Sequence, residues 1–160
     1  MKRLDYIDHA NDRDAWARQL GVSREAVDVY LASDVIDLHI ETFNVMRTLR
    51  YDLTKRHGPG PTGARLVGQV DLPRVREAHI TGGQWSISTN PLRPSSNRAT
   101  TFAKNLARYR SILASCGDDV VVCRNLADYR RARSEGKHGA FLAIQGGNAL
   151  DRDLEALDLC

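Results

Sequence analysis

The sequence predicts an α/β fold in which short parallel strands alternate with helices. Three short runs, 35–41, 84–88 and 139–145, have the length and flanking residues of buried strands, and segments with helical periodicity lie between them. The order strand, helix, strand, helix, strand favours parallel strands joined by right-handed crossovers. In such folds the chemistry gathers at the carboxyl ends of the strands.

Length and composition are those of one globular domain. The chain has 160 residues, of which 42% are hydrophobic and 27% charged. Its net charge of +3 is mild and its arginines are dispersed, so we expect no nucleic-acid partner. Because no run of about 18 apolar residues exists, we also expect no membrane-spanning helix.

The N-terminus and the cysteines indicate the compartment. Residues 1–6 become acidic at once and lack the apolar segment of a secretory signal. The three cysteines, Cys116, Cys123 and Cys160, are an odd number without C-x-x-C spacing. This pattern favours a cytoplasmic protein with unpaired thiols.

A helical N-terminal extension is predicted over residues 1–33, ahead of a domain over 34–160. Asn11 or Asp12 can cap a first helix that ends at Gly21, and Ser23 can cap a second. Residues 12–32 also resemble the middle of a helix-turn-helix DNA-binding unit. The second helix offers Arg24 but carries acidic neighbours, so we favour packing on the domain over binding to DNA.

The other elements follow from capping residues and periodicity. Further helices are predicted over 44–53, from 72 after the cap Asp71, over 98–115, from 126 after the cap Asn125, and over 151–160. Residues 57–63 are too rich in Gly and Pro for regular structure and predict a long loop. Residues 118–123 are a short β-branched run.

The first strand ends in a pair of metal-binding residue types. Side chains at positions i and i+2 of a strand share one face, so His39 and Glu41 should project together. An imidazole and a carboxylate so placed are a plausible pair of zinc ligands. Taken alone, the H-x-E triplet is weak evidence, and a buried, hydrogen-bonded histidine is the simpler interpretation.

Four separated motifs, in this order, resemble the N-terminal half of the membrane dipeptidase (renal dipeptidase) family, peptidase family M19. They are D-L-H-I-E at 37–41, V-D-L-P-R-V-R-E at 70–77, G-Q-W-S at 83–86 and F-L-A-I-Q-G-G-N-A-L at 141–150. The resemblance covers roughly residues 33–159.

The resemblance implies a fold, an activity and a ligand set. Members are TIM-type (β/α)₈ barrels that hydrolyse dipeptides with two zinc ions. The family's first strand carries an H-x-D pair of ligands, matched here by His39 and Glu41. Its bridging glutamate corresponds to Gln145. Other histidines, such as His138, match no metal motif and are expected to be structural or solvated, and Asp37 is expected to support the site.

The chain departs from the family at three points. Glu41 for aspartate keeps the charge, whereas Gln145 for glutamate removes the anion that would bridge two cations. A complete barrel needs about 250 residues, so the resemblance predicts a truncated N-terminal half-barrel. We expect no catalytic residue in this half, and completion by a complementary C-terminal half or by homo-oligomerisation. The alternative is a non-catalytic binding module that has lost its metal centre.

Overall fold

Four parallel strands form one sheet in the order β1-β2-β4-β3. The computed structural model describes residues 7–58, 68–90, 92–151 and 154–159. The strands are β1 (Ile36–Ile40), β2 (Gly82–Ser88), β3 (Val120–Cys123) and β4 (His138–Gln145). The α-helices are α1 (Arg13–Leu20), α2 (Arg24–Ala32), α3 (Thr42–Leu49), α4 (Leu72–Glu77), α5 (Arg98–Ala114) and α6 (Leu126–Ser134).

Side-chain caps define the first two helices, as the sequence predicts. Asp12 accepts a hydrogen bond from the amide of Ala15 at 2.9 Å, and Ser23 accepts one from the amide of Ala26 at 3.2 Å. Gly21 ends α1 in the left-handed conformation, with φ of 68°, which favours glycine.

The two helices dock on the turn that leads into β2. The Trp16 ring lies 5.8 Å from the rings of Tyr30 and His79. The Tyr30 hydroxyl donates a 2.6 Å hydrogen bond to the carbonyl of Ala78. These contacts tie residues far apart in the sequence, so the N-terminal helices pack on the sheet domain.

The principal core lies between the sheet and helices α3 and α5. Phe43 of α3 stacks on Tyr109 of α5 with ring centroids 3.9 Å apart, and Trp85 of β2 is fully buried beside them. Burial of this apolar surface is the main stabilising contribution. Other members of the cluster are Ile40, Met46, Leu53, Leu72, Ile87, Phe102, Leu106 and Leu113.

The sheet order places β4 directly beside β2. The residues from Gly82 to Ser88 pair in register with those from Gly139 to Gln145. The short strand β3 lies outside β4 and pairs only with residues 138–141. Strand β4, which ends in Gln145, is therefore the third strand across the sheet, after β1 and β2. Its carboxyl end lies beside that of β2.

Two element predictions are wrong in detail. Helix α3 begins at Thr42 rather than 44 and ends at Leu49, because Arg50 turns into the left-handed conformation with φ of 53°. The last segment, Leu154–Leu159, forms a 3₁₀ helix instead of an α-helix; short connecting segments commonly take this tighter form. Most of the predicted Gly/Pro loop, residues 59–63, lies outside the described residues.

Candidate metal centre

A β-bulge shapes the end of the first strand. Asp37 pairs with Gly83 and Ile40 with Trp85, so β1 carries one more residue than β2 between these points. The carboxylate of Asp37 accepts a 2.8 Å hydrogen bond from the backbone amide of His39. Asp37 thus fixes the backbone that carries the candidate ligand, and strict alternation does not hold along this strand.

His39 and Glu41 lie together at the carboxyl end of β1. His39 Nε2 is 3.8 Å from Glu41 Oε1, and the two side chains are 54% and 41% exposed. Two ligands of a tetrahedral zinc with bonds of 2.0–2.1 Å lie about 3.3–3.4 Å apart. A shift of a few tenths of an ångström would let this pair hold one cation, so the donor set fits a single metal ion.

Position 145 does not fit the role of an anionic bridge. Gln145 is the last residue of β4 and is exposed. Its Oε1 lies 2.7 Å from the hydroxyl of Ser88, its partner across the strands. Because an amide carries no charge, it cannot hold two divalent ions close together. Within the described ranges no three His, Cys, Asp or Glu side chains converge on one point.

Ser88 links the two candidate ligand positions and was not singled out from the sequence. Its hydroxyl lies 3.0 Å from Glu41 Oε1, and Asn44 Nδ2 of α3 donates to it at 3.1 Å. The hydroxyl oxygen of Ser86, two residues earlier, lies 3.5 Å from His39 Nδ1. The polar alternation of Gln84, Ser86 and Ser88 at a strand end was the signal available for these residues.

A cavity of about 350 Å³ opens beside this pair. It lies between the end of β1, helix α3 and the segment 68–70. Its walls offer both charge and hydrogen-bonding groups from Glu41, Asn44 and Thr48. A small polar molecule could therefore reach His39 and Glu41 from this side.

A second cavity, of about 290 Å³, lies at the opposite end of the sheet. Its cations already have acidic partners: Arg76 pairs with Asp119, and Arg133 with Asp34. The amino ends of strands in such folds mostly serve stability. We therefore place the candidate site at the carboxyl ends.

The buried histidine at the start of β4 has a structural role. His138 Nε2 accepts a 3.0 Å hydrogen bond from the indole of Trp85, and Nδ1 lies 2.9 Å from the carbonyl of Ile80. Burial lowers the pKa of His138, more than the hydrogen bond to Ile80 and the charge of Asp37 raise it. The ring is therefore neutral, with its Nδ1 proton on the Ile80 side.

The two described cysteines lack the character of nucleophiles. Cys116 and Cys123 are free and buried. Burial raises the pKa of both thiols, that of Cys123 to about 11. A thiol with a raised pKa carries little thiolate near neutral pH.

Ion pairs within the N-terminal helices argue against the helix-turn-helix hypothesis of DNA binding. Arg24 pairs with Asp14 at 2.7 Å and with Asp28 at 3.4 Å, and Arg13 also pairs with Asp28. Arg13 and Arg24 of this unit are thus engaged by carboxylates. In the part of the chain that the structure describes, no helix has the length and apolarity to cross a membrane.

The family model described as membrane dipeptidase, peptidase family M19, matches residues 23–160. The match begins at the residue that caps α2 and includes the sheet and the candidate site. It covers more than half of the chain.

Solved structures give the same fold. The probable dipeptidase PvdM from Pseudomonas aeruginosa superposes with a TM-score of 0.64 at 19% identity, over 85% of this chain and 34% of that one. A metallo peptidase from Rhodobacter sphaeroides, liganded with a phosphinate mimic of the dipeptide L-Ala-D-Ala, gives a TM-score of 0.60 at 20% identity, over 79% and 42%. An amidohydrolase from Pseudomonas aeruginosa gives 0.50 at 16%, over 83% and 32%.

These likenesses establish a TIM-barrel-like α/β fold. The chain spans about a third to two fifths of the length of the solved structures it matches.

Proposed function

Because the chain belongs to the membrane dipeptidase family, peptidase family M19, we propose that it supplies the first strands of a zinc-dependent dipeptidase, with His39 and Glu41 as ligands of one zinc ion. The separation of 3.8 Å between His39 Nε2 and Glu41 Oε1 at the strand ends carries this proposal. The pair offers one imidazole nitrogen and one carboxylate oxygen, a donor set that suits zinc.

The protein side of the chemistry is orientation and charge. Asp37 holds the backbone of His39, Ser88 lies against the Glu41 carboxylate, and His39 Nε2 lies 3.8 Å from Glu41 Oε1. A zinc ion held there would polarise a peptide carbonyl and activate water for its hydrolysis. The adjoining cavity of about 350 Å³ would admit a dipeptide-sized substrate.

Gln145 argues for one cation rather than two at this site. A neutral amide cannot replace the bridging carboxylate of the family, so the second metal should be the weaker one. The family's further ligands and its substrate-binding arginine belong to later strands. We therefore infer that residues 1–160 alone do not hydrolyse dipeptides, and that activity requires the remaining strands of the barrel, which a C-terminal half or a second copy would supply.

A second candidate function is a binding module without catalysis. The hydrogen bonds that join Ser88 to Glu41 and Gln145 favour it, because they engage side-chain oxygens at both candidate ligand positions. Zinc binding separates the two functions.

The free, buried cysteines support a cytoplasmic location, which cell fractionation would test.

Calorimetric titration with zinc chloride tests the metal site. We expect the chain to bind one zinc, and both His39→Ala and Glu41→Gln to lose it. Glu135→Gln is the matched control, since Glu135 is an exposed carboxylate paired with Lys137 at the far end of β4. Failure of the unmodified chain to bind zinc would overturn the metal-dependent function and favour the binding module.

A complementation assay tests the catalytic role. The zinc-treated chain should not hydrolyse dipeptides alone, and should do so after mixing with a separately produced C-terminal half of a family member. Absence of activity in the mixture, with complex formation shown by gel filtration, would contradict the dipeptidase proposal.

A further inference from the structure

The hydroxyl of Ser88 stands at the meeting point of three elements. From the end of β2, it lies 3.0 Å from Glu41 Oε1 after β1, 2.7 Å from Gln145 Oε1 at the end of β4, and 3.1 Å from Asn44 Nδ2 in α3. Its partners are 44 to 57 residues away in the sequence. A single side chain thus ties together the two candidate ligand positions of separate strands.

The hydrogens around this hydroxyl can be counted. A serine hydroxyl has one hydrogen to donate and two lone pairs that accept. Asn44 presents its nitrogen, since its oxygen lies 3.5 Å from Arg47 Nη2. The single hydrogen then has two acceptors, the carboxylate of Glu41 and the amide oxygen of Gln145. The charged carboxylate is the stronger acceptor and takes the hydrogen.

A rotation of the Gln145 amide by 180° gives the Ser88 hydroxyl and its three neighbours, Asn44, Glu41 and Gln145, compatible hydrogen-bonding roles. It exchanges Oε1 for Nε2, so that Gln145 donates to Ser88 instead of competing for its hydrogen. Ser88 then accepts from Asn44 and Gln145 and donates to Glu41. A glutamate at position 145 could not do this, because an ionised carboxylate only accepts.

We propose that Ser88 is a positioning residue, and that Asn44, Ser88 and Gln145 form a hydrogen-bonded brace that holds the Glu41 carboxylate towards His39. The amide at position 145 thereby supplies a donor where the family has a bridging anion. This proposal rests on the proposed zinc site at His39 and Glu41, which it describes in more detail.

The brace predicts a specific pattern of zinc affinities. A residue that orients a metal ligand from outside the coordination sphere contributes about 10–100-fold to affinity. Ser88→Ala should weaken zinc binding by that factor, whereas Ser88→Thr, which keeps the hydroxyl, should restore it. Ser88 is half-buried, so neither variant should unfold the chain.

Two measurements test the brace. Calorimetric titration with zinc chloride compares the unmodified chain with Ser88→Ala and Ser88→Thr. Nuclear magnetic resonance follows the side-chain NH₂ signals of Gln145, assigned by their loss in Gln145→Ala. We expect slowed hydrogen exchange of one Gln145 NH₂ proton in the unmodified chain and in Ser88→Thr, and its loss in Ser88→Ala.

The outcomes separate the brace from the proposed function. Equal zinc affinity in the unmodified chain and Ser88→Ala, or no rescue by Ser88→Thr, would overturn the positioning role. If hydrogen exchange of the Gln145 NH₂ protons is the same in Ser88→Ala as in the unmodified chain, the brace itself is overturned. If no variant binds zinc while the Gln145 signal still depends on the Ser88 hydroxyl, the brace stands and the zinc function fails.

Discussion

Ser88 and Gln145 are direct partners across β2 and β4, with Ser88 Oγ 2.7 Å from Gln145 Oε1. Their contact follows from the register of two parallel strands that end at the same level. The contact places position 145 beside the group that binds Glu41, since Ser88 Oγ also lies 3.0 Å from the Glu41 carboxylate. A change at position 145 should therefore be felt at the candidate metal site.

Trp85 should be essential for the stability of the sheet. Its ring is fully buried and its indole donates a hydrogen bond to His138 Nε2. Trp85→Ala should lower the free energy of unfolding by about 3–5 kcal/mol. Trp85→Phe keeps much of the ring but leaves His138 without its donor, at a cost of about 1–3 kcal/mol. Urea unfolding measures both, and near-native stability of Trp85→Ala would contradict the packing.

The pH dependence of stability should report the buried His138. Its pKa is lowered by burial from the ordinary value of 6.5, so below pH 6.5 the unfolded chain takes up a proton that the folded chain refuses. Stability is complete above that pH and is lost as pH falls towards the lower pKa of the folded state, by up to about 1.4 kcal/mol per pH unit. Urea unfolding at pH 7.5 and 5.5 measures the loss, which should be smaller in His138→Gln. An equal loss in that variant would exclude His138 as its source.

The buried carboxylate of Asp71 should be costly to remove. It is fully buried, accepts hydrogen bonds at 2.9 Å from the amides of Arg74 and His57, and pairs with the Arg74 guanidinium at 2.8 Å. Because Arg74 would lose its partner, Asp71→Ala should cost about 3–5 kcal/mol. The exposed Asp118 provides the control, since Asp118→Ala should change stability by less than about 0.5 kcal/mol. Similar thermal midpoints for the two variants would refute this role.

Gly139 should not tolerate a side chain. A Cβ atom there would lie 2.7 Å from Tyr129 Cδ2 and 3.2 Å from Cys123 Sγ, both in the small core between α6 and the sheet. Overpacking of this kind costs about 1–3 kcal/mol. Gly58→Ala is the control, because nothing lies within 4 Å of its Cβ position. Thermal denaturation should separate the two variants, and equal midpoints would show that the core yields freely.

Local signals in the sequence were sufficient to predict where most helices begin and that the strands are parallel. Asp12, Ser23, Asp71 and Asn125 each cap a helix through a side-chain hydrogen bond, as predicted. Such caps depend only on neighbouring backbone groups, so the sequence alone reveals them. The pair of His39 and Glu41 was also recognised from a local pattern, although Glu41 lies one residue beyond β1 and the bulge after Asp37 breaks the alternation on which that prediction relied.

Contacts between distant segments could not be derived in this way. The bulge at Asp37 depends on the pairing of β1 with β2, and the position of Ser88 depends on the register of β2 with β4. Neither strand register can be predicted from residues that are close together in the sequence. The short strand β3 was recognised as a β-branched run, but its place outside β4 follows only from the packing of α5 and α6.

Calorimetric zinc titration of Gln145→Glu, beside Gln145→Ala and the unmodified chain, tests the central claim most directly. A carboxylate at position 145 would lie beside the Ser88 hydroxyl that contacts Glu41 and would restore the missing anion. Although this substitution removes the amide donor to Ser88, it adds an anionic ligand to the metal site, so we predict tighter zinc binding than in the unmodified chain. Gln145→Ala loses the donor without adding a ligand and should bind zinc more weakly. Unchanged zinc binding in Gln145→Glu would contradict the assignment of position 145 to a metal centre.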